Sequence, residues 1–427
     1  MMKKTQVRIG SVAFKGYGVA RIQDKVVFIP HTVAGDEAWI EMIEEKKRYS
    51  MGRLIQIVEP SPWRVTPPCP SFGVCGGCQW QHIDYSAQVE FKKNILTETL
   101  KRLGGLRETP SITLVPSEEP YGYRVRIQLK TDEMAIGYYQ DRSHRIVDVD
   151  HCPIAHPLAN QILSFLREEL SFFPSMEKLE INVSPEEGKG VVLLTPRSFH
   201  RGPEIFLKEF LQRHPLLKGI VIRKKQGLTF IGDPYLNFTV SLDQNGERKK
   251  LRYRASPDSF FQVNFYQNQR LVQTVLEYSE IGQDETALDL YCGMGNLTLP
   301  LAMGAKKMVG IEENGSAVKD ARFNAEKNRL KQSEFIQGKV EEVLKDWKKE
   351  KPDLIVLDPL RTGCKNAIGS IASLNPRKIV YVSCDPTTLS RDLRLFSGGG
   401  YALEKLTLVD LFPQSYHMEV IALLAHA

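Results

Sequence analysis

Cys384 closes an apolar, partly β-branched run, Ile379-Val-Tyr-Val-Ser383, and Asp385-Pro386 follows at once. The run reads as a buried parallel strand, and the proline forbids its simple continuation. In open α/β sheets ligands gather at the carboxyl ends of strands, so a thiol there is placed to act as a nucleophile. The competing reading is a small buried hydrophobe, the ordinary fate of a free cysteine.

Four of the other cysteines make a second chemistry. Cys69, Cys75 and Cys78 stand at C-x5-C-x2-C in a loop with Gly73, Gly76 and Gly77, and Cys152 follows in His151-Cys-Pro153. Thiolates are soft donors that select zinc or iron–sulfur clusters. A zinc ribbon wants two paired C-x2-C knuckles. Here there is one such pair, and the fourth thiol comes 74 residues after Cys78. The spacing favours a 4Fe–4S cluster, with zinc and unrelated buried thiols as the alternatives. Four cysteine ligands leave no open iron, so the cluster is expected to be structural. Seven cysteines in all are an odd number, which argues against a disulfide framework.

A third group lies between these two. Ala287-Leu-Asp-Leu-Tyr291 runs into Cys292-Gly-Met-Gly-Asn296, a strand, a glycine turn and a helix start. Glycines let backbone approach a ligand, and a helix N-terminus favours negative groups. Glu312 ends the next apolar run, nineteen residues beyond Gly293, where an acid bonds a ribose diol. A nucleoside ligand follows from the combination. NAD would want a third glycine where Leu297-Thr298 stand. Asp289-x-x-Cys-Gly-x-Gly instead resembles the methyl-donor motif of Rossmann-like methyltransferases. A further strand, Asp353-Leu-Ile-Val-Leu357, ends in Asp358-Pro-Leu-Arg361. DNA amino-methyltransferases carry a second proline and an aromatic there, so Leu360-Arg361 argues against that chemistry.

Three domains are expected to position these groups, as suits 427 residues of ordinary globular composition, 42% hydrophobic and 25% charged. Residues 1–58 show five short alternating runs split by turn signals, a small β-barrel of the oligonucleotide-binding kind. With Arg8, Lys15, Arg21 and Lys46–Arg48 beside Tyr17, Trp39 and Tyr49, this segment resembles the RNA-binding TRAM domain. A plain adaptor barrel with a solvated charged face is the alternative. Residues 59–258 read as a mixed α/β domain that binds the cluster and RNA; its amphipathic helix 85–104 is free to pack on the catalytic domain. Residues 259–427 alternate strands and helices, a Rossmann-like α/β domain. Net charge is +6, and the surplus lies ahead of residue 259, which suits a polyanion held by the front and chemistry done at the back. The opening Met-Met-Lys-Lys-Thr-Gln lacks an apolar segment after its lysines, and no window nears eighteen apolar residues. A cytoplasmic protein without membrane association is the expectation.

Read in order, Phe261-Gln-Val-Asn264, Asp289-Leu-Tyr-Cys-Gly-Met-Gly-Asn296, Asp358-Pro-Leu-Arg361, Ser383-Cys-Asp-Pro386 with Arg391-Asp392, and Asp410-Leu-Phe-Pro-Gln-Ser-Tyr-His417-Met-Glu419 form a series. Together they resemble the RNA uracil-5-methyltransferase family. With the TRAM-like front and four cysteines the resemblance spans almost the whole chain. It is similar to bacterial members that carry a cluster and modify 23S ribosomal RNA. The resemblance implies S-adenosyl-L-methionine bound by Gln262, Tyr291, Asn296, Glu312 and Asp358. No obligate protein partner is evident in the sequence, and a monomer is the expectation.

The residues make sense of that reaction. C5 of uracil is a poor nucleophile, but a thiolate adding at C6 makes an enolate with electron density at C5. Cys384 is the candidate thiolate. Glu419, just before the final apolar strand, is the candidate base that removes the C5 proton, with a strand-edge carboxylate as its bland alternative. A helical target must present its uridine flipped out of the stack. Three residues depart from the family: Leu360 for the second proline, Asp385 for an asparagine beside the thiol, and Lys339 near the expected adenine site. Asp385 is expected to raise the thiol pKa. Transfer RNA is the rival substrate. A non-catalytic RNA-binding or assembly protein is the rival of another class, needing neither Cys384 nor Glu419.

Overall fold

A computed structural model describes residues 4–426 apart from 107, 133, 134, 174, 198–202, 226 and 245. The front is one six-stranded sheet in the order Lys4–Arg8, Glu37–Glu45, Tyr49–Glu59, Lys25–Ile29, Tyr17–Ile22 and Ser11–Ala13. It curls on itself, so that the Gly10 N–H donates to the Val19 carbonyl at 2.8 Å. Alternate residues Val7, Val27, Ile29, Ala38 and Ile40 fill the inside, the period-two consequence of the pleat. The five expected runs are thus joined by a sixth, Ser11–Ala13, too short to show an alternation of its own.

A seven-stranded sheet follows, from Ile146–Asp148 at one edge through Ile136–Tyr139, Arg126–Thr131, Met176–Ser184, Lys189–Pro196 and Leu217–Lys224 to Gly227–Gly232. The helices Pro157–Glu168 and Pro203–Arg213 cover it, with Ile162, Leu163, Leu166, Leu207 and Phe210 in its core.

The eight-stranded sheet carries the candidate site. Its order is Ser333–Gln337, Lys307–Glu312, Thr286–Leu290, Leu354–Leu357, Lys378–Ser383, Glu419–His426, Tyr401–Val409 and Ile112–Val115. The first five are parallel and Glu419–His426 runs against them. Strand order reverses between Thr286–Leu290 and Leu354–Leu357, the switch point where such sheets open a crevice.

Segments from ahead of residue 259 complete this sheet. Ile112–Val115 pairs in parallel with Tyr401–Val409. The helix Tyr85–Gly104 is capped by Asp84 and ends at left-handed Gly105 (φ 69°). Its Ile95, Leu96 and Leu100 share a core with Leu389, Leu393 and Phe396 of the helix Pro386–Gly398. The hairpin Leu236–Gln244/Glu247–Ala255 packs Val240, Leu242, Leu251 and Tyr253 against Leu271, Val275, Val318 and Ala321. The strands of 59–258 therefore divide among the seven-stranded sheet, the separate hairpin and one edge of the eight-stranded sheet.

The helix Tyr85–Gly104 also reaches the loop before Glu419. Lys92 Nζ lies 2.6 Å from Asp410 Oδ1, both side chains fully buried, and donates to the Phe412 carbonyl at 3.0 Å. The Tyr85 hydroxyl donates to the other Asp410 oxygen at 2.9 Å. Breaking such a pair from one side costs about 3–5 kcal/mol, because the remaining charge is stranded. Among the described residues no helix is long and apolar enough to cross a membrane.

Candidate active site

The strand Lys378–Ser383 is buried after its first residue, and Asp385 caps the helix that follows, accepting from Thr387 N at 2.8 Å and Thr388 N at 3.1 Å. Pro386 suits the first helical turn, where no backbone N–H is needed. Cys384 is thus held between a strand end and a helix cap. Ser383 faces Val420 in the last pair of the antiparallel ladder, and Cys384 and Glu419 each lie one residue beyond it. Glu419 is buried and faces Val409 on its other side. Asp358 follows Leu357, its N–H donating to the Leu290 carbonyl at 3.3 Å, and keeps part of its surface open.

These groups share one electrostatic neighbourhood. Burial, then the Glu419 and Asp358 carboxylates, push the Cys384 thiol up to about 12, against the pull of Arg361. Asp385 adds least of these, its carboxylate being engaged in the cap, so the extra acid matters less than its position suggested. Burial and Asp358 lift Glu419 well above the usual carboxyl range, and Arg361 opposes them. Burial lifts Asp358 to about 7. A half-buried, acid-rich crevice resists a thiolate until positive charge enters it.

Beside this trio the glycine turn forms a second wall. Tyr291, with φ 66°, turns the chain out of Thr286–Leu290, and its hydroxyl donates to Glu341 at 3.1 Å. Gly295 needs its φ of +90°, and a Cβ there would sit 2.2 Å from Leu299. Glu312 accepts from Gly293 N at 3.0 Å and Asn314 N at 2.7 Å, tying the turn to the next helix. Asn296 and Asn268 exchange two amide hydrogen bonds, each 2.9 Å. Gln262 is half-buried in the segment that leads into the helix Phe265–Ser279.

Asp289 lies buried beneath, with Oδ2 accepting from Thr298 at 2.5 Å and Oδ1 without a partner. Burial, with Asp358 and Glu312 nearby, raises it to about 7. An unpaired acceptor, open space over Gly293 and three mutually repelling carboxylates suit a ligand that brings donors and positive charge. S-adenosylmethionine, with its sulfonium and ammonium groups, fits that demand. Lys339 stands at the cap of Val340–Lys345, near Glu342, and Leu360 is 80% exposed.

Cys69, Cys75, Cys78 and Cys152 gather at the front of the seven-stranded sheet. Gly76 N donates to the Tyr139 carbonyl at 3.0 Å, Gly77 N lies 3.4 Å from Cys75 Sγ, and Asn160 brackets the Cys152 backbone. Burial raises Cys69, Cys75 and Cys78, the last to about 12, and Cys152 raises each of them further. Among the described residues no three His, Cys, Asp or Glu side chains are placed to hold a metal ion, and these four cysteines are no exception. The residues just past Cys78 reach the loop that leads to Glu419: Gln79 N and Trp80 N both donate to the Gln414 carbonyl, at 3.1 and 3.0 Å.

Two positions stand in the motifs quoted from the sequence without the role that the structure gives them. Gln414 (φ 68°) joins this loop to the helix Tyr85–Gly104, its N–H donating to Gln88 at 2.9 Å. No local pattern assigns it that role. Asp392 accepts from the Tyr381 hydroxyl at 2.8 Å, Cys364 N at 2.9 Å and Arg391 Nε at 2.8 Å, fixing the turn after Arg361. Its signal was legible, because it sits in the apolar stripe Leu389, Leu393, Phe396, where an acid must find partners.

A family model described as tRNA (uracil-5-)-methyltransferase matches residues 84–427. The TRAM-domain model of tRNA (uracil(54)-C(5))-methyltransferase matches residues 6–63. An uncharacterized RNA methyltransferase of Aquifex aeolicus is 34% identical across 99% of this chain and 98% of its own length. Another, from Oceanobacillus iheyensis, is 33% identical across 96% and 93%. Among solved structures, Pyrococcus abyssi tRNA (uracil-54, C5)-methyltransferase, in complex with S-adenosyl-L-homocysteine, superposes with a TM-score of 0.79. It is 25% identical and covers 98% of this chain and 99% of its own.

Proposed function

We propose a substrate and a mechanism from one premise: the chain belongs to the tRNA (uracil-5-)-methyltransferase family and is an S-adenosylmethionine-dependent RNA (uracil-5-)-methyltransferase with a TRAM domain at its front. The observation that carries the mechanism is the meeting of Cys384 with the Glu419 and Asp358 carboxylates at the end of the ladder. S-adenosylmethionine supplies an electrophilic methyl group on a cationic sulfur. Gln262, Tyr291, Asn296, Glu312 and Asp358 hold it along the carboxyl ends of the parallel strands. Cys384 adds to C6 of a flipped-out uracil, the C5–C6 π electrons moving toward O4. C5 would then take the methyl group as its bond to the sulfonium breaks, the pair staying on sulfur and S-adenosylhomocysteine leaving. Glu419 accepts the C5 proton, the freed pair restores the C5–C6 double bond, and the thiolate leaves.

The target we propose is a uridine in 23S ribosomal RNA, on the strength of the four-cysteine loop joined to a TRAM domain. Transfer RNA is the second reading, favoured by the Pyrococcus enzyme, whose name specifies tRNA and whose chain this one matches almost end to end. Transcripts of both, offered with labelled donor, separate the readings by which accepts methyl. The same RNA carrying 5-fluorouridine should become irreversibly linked to Cys384, since fluorine replaces the proton that Glu419 removes. Intact turnover on that RNA, with no linkage, sinks the mechanism.

Cys69, Cys75, Cys78 and Cys152 are proposed to hold a structural 4Fe–4S cluster. Their thiols share one neighbourhood, in which a cluster's positive irons offset the burial that disfavours thiolate. A single zinc ion would draw four sulfurs to about 3.8 Å apart, given Zn–S bonds of about 2.3 Å, whereas a cluster spans a wider set. Anaerobically purified protein should be brown and carry about four irons per chain. A colourless protein with one zinc overturns this assignment. A cytoplasmic monomer without an obligate protein partner completes the proposal.

A further inference from the structure

The helix Gly315–Lys327 and its cap present Ser316, Asp320, Asn324 and Asn328 at intervals of four, one above another on a single face. That face grips the outer edge of the strand Glu247–Ala255, whose other edge pairs with Leu236–Gln244. Asn328 accepts from Arg252 N at 2.9 Å and donates to Arg252 O at 2.7 Å. Asn324 accepts from Arg254 N at 2.8 Å and donates to Arg254 O at 3.1 Å. Four helical residues rise about 6 Å and two strand residues about 6.8 Å, so successive side chains meet alternate backbone positions. The amides thus supply the ladder bonds that a third strand would make.

At the third rung the ladder leaves the strand. Asp320 Oδ2 accepts from Ser256 N at 2.7 Å, Ser256 Oγ at 2.5 Å and Ser259 Oγ at 2.5 Å. Its other oxygen lies 3.5 Å from Arg254, whose guanidinium is sandwiched between Phe323 (3.5 Å) and Tyr235 (4.3 Å). Asp320 is buried, so three donors and a fixed cation hold one carboxylate in one place. The segment it fastens, Ser256–Ser259, leads directly to Gln262. The same helix begins just past Glu312, and Asn324 also donates to the Met294 carbonyl of the glycine turn at 3.3 Å. One helix face therefore joins both walls of the pocket.

We propose that Asp320 is a positioning residue for the methyl donor, locking the segment that carries Gln262 against the glycine turn and Glu312. This rests on the reading of Gln262 and Glu312 as donor contacts. Charge-assisted hydrogen bonds to a buried carboxylate are the strong kind, so losing three loosens that wall.

The test uses the full-length protein, with S-adenosylhomocysteine titrated by calorimetry and RNA by filter binding. Asp320→Ala should weaken S-adenosylhomocysteine about tenfold or more and leave RNA affinity within about twofold. Asp320→Asn should recover most of the loss, because its amide oxygen still accepts from the serines. If Asp320→Ala does not fold, Ser256→Ala with Ser259→Ala removes two of the three bonds and must reproduce the shift. Glu312→Ala is measured beside them to report on the pocket itself. Wild-type donor affinity in the Asp320 and serine variants, with Glu312→Ala impaired, overturns the proposal and spares the pocket. Equal losses for donor and RNA also overturn it, as general packing. An unimpaired Glu312→Ala removes the pocket reading and the proposal with it.

Discussion

Cys384→Ala should abolish methyl transfer, by about a thousandfold or more, while leaving binding of RNA and donor intact. Without the sulfur there is no addition at C6, and C5 keeps the weak nucleophilicity of an ordinary uracil. The site around the thiol also sets a direction with pH. Burial and two neighbouring carboxylates hold Cys384 near 12 in the free protein, so thiolate is scarce at neutrality and grows about tenfold per pH unit. Glu419, also lifted, gains its charge in the same direction. The value of kcat/KM for RNA should therefore rise from pH 7 to 9, since that ratio reports groups of the free enzyme. Residual methylation by the alanine variant at more than a few per cent would remove Cys384 from the chemistry. A flat profile would mean that bound ligands, not bulk protons, set the thiolate.

Glu419→Gln should trap the protein on its substrate. The amide leaves addition and methyl transfer possible, because both precede proton removal. What fails is the elimination: with no acceptor for the C5 proton, the electrons that would expel the sulfur stay in the C–H bond. A denaturant-resistant protein–RNA band should accumulate with wild-type RNA, carrying one donated methyl per complex. Substitution also removes a buried acid that repels Asp358, so the folded protein should be no less stable than wild type. A variant that turns over normally and forms no adduct assigns the proton to another group. Asp358, near 7 and in the same crevice, is the group to examine next.

The parts of the molecule visible in the sequence were those written in local periodicity. Ile379–Ser383 announced a strand with a thiol at its end, and Gly293-Met-Gly295 with Glu312 announced a nucleoside turn, because each needs only a few adjacent residues. The amphipathic pattern of 85–104 announced a helix, which the structure stops at left-handed Gly105. The parts missed are contacts across long stretches of chain. Ile112–Val115 is four ordinary residues, and nothing in them says that they pair with Leu406–Val409. Lys92 looks like a solvent-facing lysine until Asp410, far along the chain, is folded against it. The face of Ser316, Asp320, Asn324 and Asn328 was legible as a polar stripe, which ordinarily means water. Here it means a neighbouring backbone.

The strand Ile112–Val115 and the helix Tyr85–Gly104 bear on how this protein can be dismantled. A fragment starting at residue 259 would expose the flank of Tyr401–Val409 and strip the cover from Leu389, Leu393 and Phe396. Bare sheet flanks invite pairing between copies. The catalytic half is therefore not a detachable cassette: its smallest soluble form must begin ahead of Tyr85, and gene fusions or domain swaps cut at 259 would yield aggregates rather than enzymes.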